Sequence, residues 1–330
     1  MTVTRTHLPE QPSLTPPVAL APLAGITDLP FRNLVGRFGA GLVVSEMIAS
    51  GEFLTARPGS REKAELGLDH ANTAVQIAGR DGPTMAEAAR MVESMGARVI
   101  DINMGCPAKK VTGGMSGSAL MRDLDHALTL IDAVVAAVSV PVTLKTRLGW
   151  DHDTLNAAQL AQRAQDAGVQ RIVIHGRTRS QFYKGDADWA AIAPVVGAVE
   201  IPVLANGDIV DSASAGKALR DSGAQGVMIG RGAQGQPWLL AQIAHDLFGT
   251  AAPDIPQGGD LIDMISEHYE DMLTFYGAEI GTRVARKHLG WYMDHARSPA
   301  PLRHDLLTTR DPKQVLALIP DAMTQERHAA

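Results

Sequence analysis

The feature that most constrains the fold of this chain is a series of eight short apolar runs with helical patterns between them. Several runs are continuously apolar, as is typical of parallel strands covered on both faces. Eight strand-then-helix units in succession predict an α/β fold, the (β/α)8 or TIM barrel. The predicted strands are residues 18–24, 42–47, 74–78, 99–104, 142–147, 171–175, 203–206 and 226–229.

Residues typical of helix ends punctuate the segments between the runs. Asp28, Asp123 and Asp211 stand where helix N-caps are expected, and Gly39 and Gly223 stand where helices would end. A doubly wound open sheet is the competing architecture. It fits poorly, because the chain has eight units and lacks a Gly-x-Gly-x-x-Gly motif after its first strand.

The pattern changes after the eighth unit. Residues 249–259 are rich in Pro and Gly and indicate a linker, and only helical periodicity follows. We therefore predict an N-terminal extension (1–17), a barrel (18–248), a linker (249–259) and a small all-helical domain (260–330). Two stripes at helical spacing are expected to pack in that domain's core: Leu261, Ile265, Tyr269, Met272 and Tyr276, then Ile280, Val284, His288, Trp291 and His295.

Composition narrows the class of protein. A single cysteine excludes an internal disulfide, and the first 17 residues lack a signal-peptide pattern, so we expect a cytoplasmic protein. No apolar stretch approaches the roughly 20 residues that a membrane-spanning helix needs. The formal net charge of -6 argues against general nucleic-acid binding. Any RNA partner therefore needs a local basic patch.

The single cysteine follows the fourth predicted strand. Cys106 lies between Gly105 and Pro107, where the strand stops and a glycine-rich loop begins. Catalytic groups in (β/α)8 barrels lie at the carboxyl ends of strands. A thiol with an ordinary pKa of about 8.5 is mostly protonated at neutral pH, which makes Cys106 a candidate general acid. The alternative is a buried cysteine that acts as a small hydrophobe.

Small and charged residues follow other strands. Gly207 and Asp208 follow the seventh strand, and Arg231 lies between two glycines after the eighth, which predicts a phosphate site, although two tight turns would have the same composition. Burying Lys145 in an apolar strand is costly without an anionic partner, either a ligand or a neighbouring carboxylate. Together with the Gln76 amide, these groups describe a flavin mononucleotide (FMN) pocket.

The ordered motifs at the strand ends resemble those of the tRNA-dihydrouridine synthases. A further motif beyond the barrel, Arg286-Lys287-His288-Leu289-Gly290-Trp291-Tyr292, resembles the helical domain of the bacterial members, nearest to the B-type, nitrogen-regulation branch. The barrel motifs are residues 21–32, 76–79, 101–107, 145–147, 175–178, 206–209 and 230–232.

This resemblance implies an FMN enzyme that uses NADPH to reduce the C5–C6 double bond of a uridine in the tRNA D-loop. Cys106 would protonate C5 after hydride reaches C6, and Asn103 would hydrogen-bond the uracil. The residues that the resemblance implies for FMN binding are Pro22, Leu23, Ala24, Gln76, Lys145, His175, Asn206, Gly207, Asp208, Gly230 and Arg231.

Seven basic residues are candidate tRNA contacts. A solvated charged surface would give the same pattern, and only the resemblance favours RNA binding. No metal site and no stable protein partner are expected. The candidates are Lys109 and Lys110 on the Cys106 loop, Arg177 and Arg179 on the barrel, and Arg283, Arg286 and Lys287 beyond it.

Two other functions stay open at this point. A small-molecule FMN oxidoreductase of the dihydropyrimidine or dihydroorotate type would share the barrel and the catalytic loop. Its free pyrimidine, however, would give a helical extension nothing to bind. A noncatalytic RNA-binding regulator that has kept the barrel would bind no flavin.

Overall fold

A computed structural model of the chain describes residues 14–55, 62–67 and 72–324. Its parallel strands close into a barrel with helices between them, so the predicted (β/α)8 fold is confirmed and the open sheet is excluded. The strands are β1 (Val18–Leu20), β2 (Leu42–Val44), β3 (Ile48–Ala49), β4 (Thr73–Ala78), β5 (Val99–Met104), β6 (Val142–Arg147), β7 (Arg171–His175), β8 (Val203–Asn206) and β9 (Gly226–Ile229).

Closure depends on β1, which pairs with β2 on one side and β9 on the other. β2 also pairs with β4, and β4 to β9 follow in chain order, so eight strands complete the ring. β3 is a short ninth strand that pairs farther along β4. The carboxyl ends of all the strands therefore meet at one end of the barrel, which we call the mouth.

The first two predicted strands are too long. β1 stops at Leu20 because the chain turns at Leu23, whose carbonyl accepts hydrogen bonds from the N–H groups of Ile26 and Thr27, both at 3.0 Å. The second strand is interrupted after Val44 by a break that carries Glu46. Glu46 Oε2 accepts a 2.6 Å bond from the N–H of Gly25, which joins the loops after β1 and β2.

The predicted N-caps are confirmed. Asp28, Asp123 and Asp211 each accept a backbone N–H of the following helix through the side chain. Gly39 and Gly223 end their helices with φ of 106° and 69°, a conformation that glycine adopts without steric cost. The barrel helices are α1 (Leu29–Phe38), α2 (Ser50–Leu54), α3 (Gly82–Ser94), α4 (Lys109–Thr112), α5 (Leu124–Ala137), α6 (Ala157–Asp166), α7 (Ala193–Val196), α8 (Ser212–Ser222) and α9 (Leu239–Phe248).

The chain beyond the barrel is helical. Its helices are α10 (Gly258–Tyr276), α11 (Ala278–Ala296), α12 (Ala300–Thr308) and α13 (Pro312–Met323). Their buried side chains form an apolar cluster separate from the barrel core, and Leu34 of α1 belongs to that cluster. The predicted division into a barrel, a linker and a helical domain stays a proposal. The extension before residue 14 lies outside the described residues.

The two predicted apolar stripes agree with the observed burial to different extents. In α10, Ile265, Tyr269 and Met272 are buried as predicted. In α11 the stripe is wrong at both ends, because Ile280 is 46% exposed and His295 is exposed too. The face of α11 that carries Gly281 packs closely against α10, since a Cβ on Gly281 would lie only 2.6 Å from the Met272 carbonyl oxygen. The buried face therefore follows from Gly281: Ala285, His288, Leu289, Tyr292 and Met293.

Within the described residues, no helix is both long and apolar enough to cross a bilayer.

Two buried histidines lie where α10 and α11 meet the barrel. The rings of His268 and His288 are 4.9 Å apart, and Phe31 of α1 lies 5.9 and 5.0 Å from them. His268 Nδ1 pairs with the Tyr292 hydroxyl at 2.9 Å. Neither nitrogen of His288 has a partner among the described residues. Burial lowers the pKa of both imidazoles, that of His288 to about 3.

We expect acid to destabilise the protein through this pair. Below the ordinary histidine pKa of about 6.5 the unfolded chain binds protons that the folded chain cannot bind, so stability falls as pH drops. Between pH 7 and pH 5 the His288 site should cost about 2 kcal/mol of unfolding free energy. Urea unfolding of wild type and His288→Phe at both pH values measures the difference, and the variant should lose about that much less.

The exposed His152→Phe is the matched control and should follow wild type. Asp28 acts in the opposite direction, because burial raises its pKa to about 6. All three proteins share that group, so it cancels in the comparison. Equal pH dependence in wild type and His288→Phe would contradict a neutral buried imidazole.

Candidate active site

The barrel mouth surrounds a cavity of about 740 Å³. Such a volume is typical of a site for a small ligand or cofactor. Cys106 and Asn103 line this cavity, together with every residue predicted to contact FMN: Pro22, Leu23, Ala24, Gln76, Lys145, His175, Asn206, Gly207, Asp208, Gly230 and Arg231. Convergence of the strand ends thus brings together residues from seven of the eight barrel strands.

Cys106 is half-buried and lines the cavity, so it does not belong to the apolar core. Its backbone is held on both sides. The Cys106 N–H donates to Asn103 Oδ1 at 2.9 Å, and its carbonyl accepts from the N–H and the hydroxyl of Ser118 at 3.1 and 2.9 Å. The loop between them returns through Gly117 at φ 58°, where a Cβ would lie 2.8 Å from the Cys106 oxygen. The position of the thiol is therefore well defined.

A chain of buried side chains orients Asn103. Asp101 accepts from Thr143 Oγ1 at 2.6 Å and from Gln76 Nε2 at 2.7 Å. Gln76 Oε1 in turn accepts from Asn103 Nδ2 at 2.7 Å. Each amide keeps one further N–H for a ligand, since an NH₂ group carries two donors. Asp101 is a functional residue that sequence reasoning missed, although a charge inside an apolar strand was the available signal.

Lys145 forms no ion pair with a carboxylate among the described residues. Its Nζ donates to Asn206 Oδ1 at 2.9 Å, and among the described residues no Asp or Glu oxygen lies within 4.0 Å of it. Burial, and then the charge of Arg147, lower the pKa of Lys145 to about 8. The structural ion pair considered as an alternative is therefore absent from the described chain. An anion in the cavity would stabilise the charged form of Lys145 and so raise its pKa.

His175 is neutral and its tautomer can be assigned. Burial lowers its pKa well below the usual range, and Lys145, Arg147, Arg177 and Arg231 add to the effect. Arg177 Nη1 lies 3.3 Å from His175 Nε2. Because a guanidinium only donates, Nε2 accepts and the ring proton resides on Nδ1.

Arg177 is buried beneath the mouth and does not offer its charge to solvent. It forms a two-pronged ion pair with Asp208, with one contact of 2.9 Å, and donates to the Lys184 and Gly185 carbonyls. Burial alone would raise the pKa of Asp208, but Arg177 and the Ala187 N–H hold it below its usual range. The tRNA contact predicted at Arg177 is therefore not supported, because its guanidinium is buried and paired with Asp208 inside the protein.

The two glycine turns touch each other. A Cβ on Gly232, after β9, would lie 2.2 Å from the carbonyl oxygen of Ile209, after β8. Arg231 is 54% exposed on its side-chain atoms, and its Nη2 lies 3.4 Å from Asp208 Oδ1. Small residues thus leave room for a ligand phosphate near a guanidinium that is only weakly paired.

Arg147 and Tyr183 line the cavity but were not predicted. Arg147 Nε donates to the Gly105 carbonyl at 2.8 Å, which links β6 to the Cys106 loop. Tyr183 is 54% exposed, with the Arg147 and Arg231 guanidinium carbons 5.6 and 5.2 Å from its ring centre. The position of Arg147 in a Lys-Thr-Arg motif was a usable signal. Tyr183 lies in a long loop without periodicity and gave none.

The other predicted basic residues surround the mouth at different depths. Lys109 and Lys110 are exposed on α4, and Arg283 is exposed on α11. Arg286 is half-buried, with a buried Nε that has no partner among the described residues. Lys287 is exposed and its Nζ lies 3.4 Å from the Gly25 carbonyl oxygen. α11 therefore reaches the cavity rim beside Ala24. Arg179 stacks on aromatic rings away from this helix.

No group of three or more His, Cys, Asp or Glu side chains in the described part of the chain could hold a metal ion.

A model of the family described as "Dihydrouridine synthase (Dus)" matches residues 19–327. The chain belongs to the dihydrouridine synthase family. It is 64% identical over 318 residues to a probable tRNA-dihydrouridine synthase of Rhodobacter capsulatus, with 96% of this chain and 97% of that protein covered. It is 48% identical over 314 residues to tRNA-dihydrouridine synthase B of Xanthomonas campestris pv. campestris, with 94% and 93% covered.

Solved structures share the fold of this dihydrouridine synthase family member at low sequence identity. Histamine dehydrogenase from Rhizobium sp. 4-9 matches with a TM-score of 0.55 and 11% identity over 77% of this chain and 48% of that chain. A 2-naphthoyl-CoA reductase matches with a TM-score of 0.54 and 12% identity over 70% and 50%. This chain spans about half the length of both. The likeness supports the barrel fold alone.

Removing the charge of Lys145 should stabilise this dihydrouridine synthase family member in its ligand-free form. The folded-state pKa of about 8 lies below the unfolded value near 10.5, so up to about 3 kcal/mol opposes folding at pH 7. Lys145→Met keeps a similar unbranched shape. We expect its unfolding free energy to exceed that of wild type at pH 7 in urea titrations of flavin-free protein.

The pH dependence provides the control for this expectation. As pH rises from 8 towards 10.5, the folded lysine loses its proton before the unfolded one, so wild type should gain stability and approach the variant. Lys217→Met, at an exposed lysine paired with Asp221, should show neither effect. A Lys145→Met protein that is less stable than wild type at pH 7 would mean that Lys145 is satisfied without a ligand.

Proposed function

We propose that this protein is a tRNA-dihydrouridine synthase that reduces the C5–C6 double bond of a D-loop uridine, with FMN as its cofactor and NADPH as the reductant. The observation that carries the proposal is the placement of Cys106 on the wall of the cavity that collects the expected cofactor contacts. Family membership and the names of the relatives support the substrate class. A tRNA substrate agrees with the expected cytoplasmic location.

The cavity residues fit FMN. The phosphate would lie against the turns of Gly207 and Gly230 with Arg231, where main-chain N–H groups and a guanidinium suit an anion. Lys145 supplies a half-buried positive charge with no carboxylate oxygen within 4.0 Å among the described residues, which suits an anionic ring edge. The Gln76 amide keeps one N–H for a polar ring edge.

The strand order supports a division of labour across the mouth. Cys106 follows β5, the fourth strand of the ring, and Gly230 and Arg231 follow β9, the eighth. In an eight-stranded ring these positions are diametrically opposite. A flat ligand anchored at the β9 turn would therefore extend towards the thiol, which leaves a planar uracil between them.

The chain's own residues would carry the proton and hold the base. Bound FMN, once reduced by NADPH, would supply hydride to C6 of the uracil. The added electrons place negative charge on C5 and O4 of the base, and the Cys106 thiol would deliver a proton to C5. The remaining N–H of Asn103 would hydrogen-bond the uracil and fix its position relative to the thiol. The resulting thiolate regains its proton from water.

The uridine must leave its stack to enter a cavity at the barrel mouth, so a loop of RNA is the natural substrate. The remaining tRNA would lie on α10 to α13, where Lys287 reaches the rim and Arg283 and Arg286 lie on the same helix. Lys109 and Lys110, next to Cys106, would contact the phosphates flanking the uridine. Such contacts to phosphate contribute affinity and depend on salt.

Cys106→Ala should separate the two halves of the reaction. The variant should bind FMN and oxidise NADPH like wild type, because the thiol lies outside the expected flavin contacts. Dihydrouridine formation in unmodified tRNA should fall at least about 100-fold, as is typical when a general acid is removed. Flavin absorbance, anaerobic bleaching by NADPH and mass spectrometry of tRNA nucleosides measure the three quantities.

Several results would contradict this function. Purified wild-type protein that stays colourless after FMN is added would exclude the flavin enzyme, and Cys106→Ala with normal dihydrouridine formation would exclude the thiol as the acid. In cells, deletion of the gene should remove dihydrouridine from a D-loop position, and wild type but not Cys106→Ala should restore it. Turnover of free uracil or dihydroorotate without any on tRNA would favour the small-molecule reductase.

A further inference from the structure

Two arginines from different segments of the chain stack on one half-buried tryptophan beside the mouth. The guanidinium carbons of Arg122 and Arg179 lie 4.9 and 4.5 Å from the ring centre of Trp150, which is half-buried. Arg179 also lies 4.8 Å from the Phe182 ring centre. We call Arg122, Trp150 and Arg179 the arginine–tryptophan stack.

The two guanidinium groups of the stack form no ion pair in the part of the chain that the structure describes. Among the described residues, neither Arg122 nor Arg179 has a carboxylate oxygen within 4.0 Å, and the buried Nε of Arg179 has no acceptor. The nearest acids in sequence, Asp123 and Asp151, accept bonds from His126 and Thr154 and form no ion pair with either arginine among the described residues. Two like charges on one ring repel each other, so the arrangement favours an added anion.

The backbone beneath the stack is held in place. The loop after β7 is tied to the loop after β6 by Arg179 N–H to the Gly149 carbonyl at 3.0 Å and Ser180 N–H to the Trp150 carbonyl at 2.9 Å. Arg147, which lines the cavity, donates to the carbonyls of Thr178 and Phe182 on either side of Arg179. The stack is therefore directly connected to the cavity wall.

Its position in the ring complements the helical region. Arg122 follows β5, Trp150 follows β6 and Arg179 follows β7, which are the fourth, fifth and sixth strands of the ring. Lys287 of α11 reaches the loop after β1. In an eight-stranded ring, the first and fifth positions are opposite. An RNA held only by α10 to α13 would be supported on one side of the mouth, and the stack offers cations on the other.

We propose that the arginine–tryptophan stack binds backbone phosphates of the substrate RNA on the side of the mouth opposite Lys287. This inference rests on the proposed function, because it takes the RNA to be the tRNA that enters the cavity. Planar guanidinium groups match phosphate oxygens bidentately. Stacking on Trp150 orders both side chains before RNA arrives, which reduces the entropy lost on binding.

Arg122→Ala tests the charge. Arg122 is exposed at the end of the 3-10 helix Gly117–Arg122, so the two tied loops should remain intact. We expect the Kd of unmodified tRNA, measured by fluorescence anisotropy, to rise about 3- to 10-fold near 0.1 M salt. The slope of log Kd against log salt concentration should fall by about 0.7 to 0.9, the value for one lost phosphate contact.

Two more variants separate stacking from charge. Trp150→Leu keeps both charges and removes the platform, so Kd should rise while the salt slope stays near that of wild type. Arg220→Ala is the matched control, because Arg220 is exposed near the carboxyl end of α8, which runs back to the end of the barrel away from the mouth. Its Kd and salt slope should equal those of wild type.

The inference is overturned if Arg122→Ala and Trp150→Leu bind tRNA with the Kd and salt slope of Arg220→Ala. In the supporting result, both variants keep FMN binding and the dihydrouridine rate at saturating tRNA, and only the half-saturating tRNA concentration rises. Failure of wild type to bind FMN would overturn the proposed function without altering the tRNA binding comparison. The two failures are therefore distinguishable.

Discussion

Closure of the sheet by β1 is the constraint on which the rest of the structure depends. Its ladder to β9, which pairs Val18 with Val227 and Leu20 with Ile229, joins the first strand to the last. Only a closed ring places the loops after the first, fourth and eighth strands around one mouth. Residues as distant in sequence as Pro22 and Arg231 then line the same cavity. In an open doubly wound sheet the strand ends would lie in a row and would not surround a cavity.

Within that ring, a continuous hydrogen-bonded path connects the core to the backbone of Cys106. Asp101 orients Gln76, Gln76 orients Asn103, and Asn103 holds the backbone of Cys106. Burial raises the pKa of Asp101, while its bond from Thr143 stabilises the carboxylate. A buried polar network is favourable only when its members are paired, and here the strands supply the partners. The start of the loop that carries the candidate acid is therefore hydrogen-bonded to the barrel strands.

The mouth is cationic although the whole chain is acidic. The net charge is -6, yet Lys145, Arg147 and Arg231 line the cavity. Among the described residues Asp208 pairs with the buried Arg177 and with Arg231. Burial, and then these cations, lower the pKa of His175 well below its usual range. Among the described residues no carboxylate oxygen lies within 4.0 Å of Lys145. Concentrating charge in this way suits anionic ligands, because a focused field raises their local concentration while the acidic remainder limits unspecific binding.

The alternation of strands and helices, the N-caps and the residues that follow each strand can be derived from the sequence alone. Once eight units imply a barrel, strand-end residues such as Cys106, Lys145 and Arg231 must converge, because backbone hydrogen bonding dictates where strand ends lie. Contacts between distant segments are visible only in the folded structure. They are the ion pair of the buried Arg177 with Asp208, the packing of α11 at Gly281 and the stacking of Arg179 on Trp150. Periodicity records local backbone geometry, whereas these pairings arise from packing between segments distant along the chain.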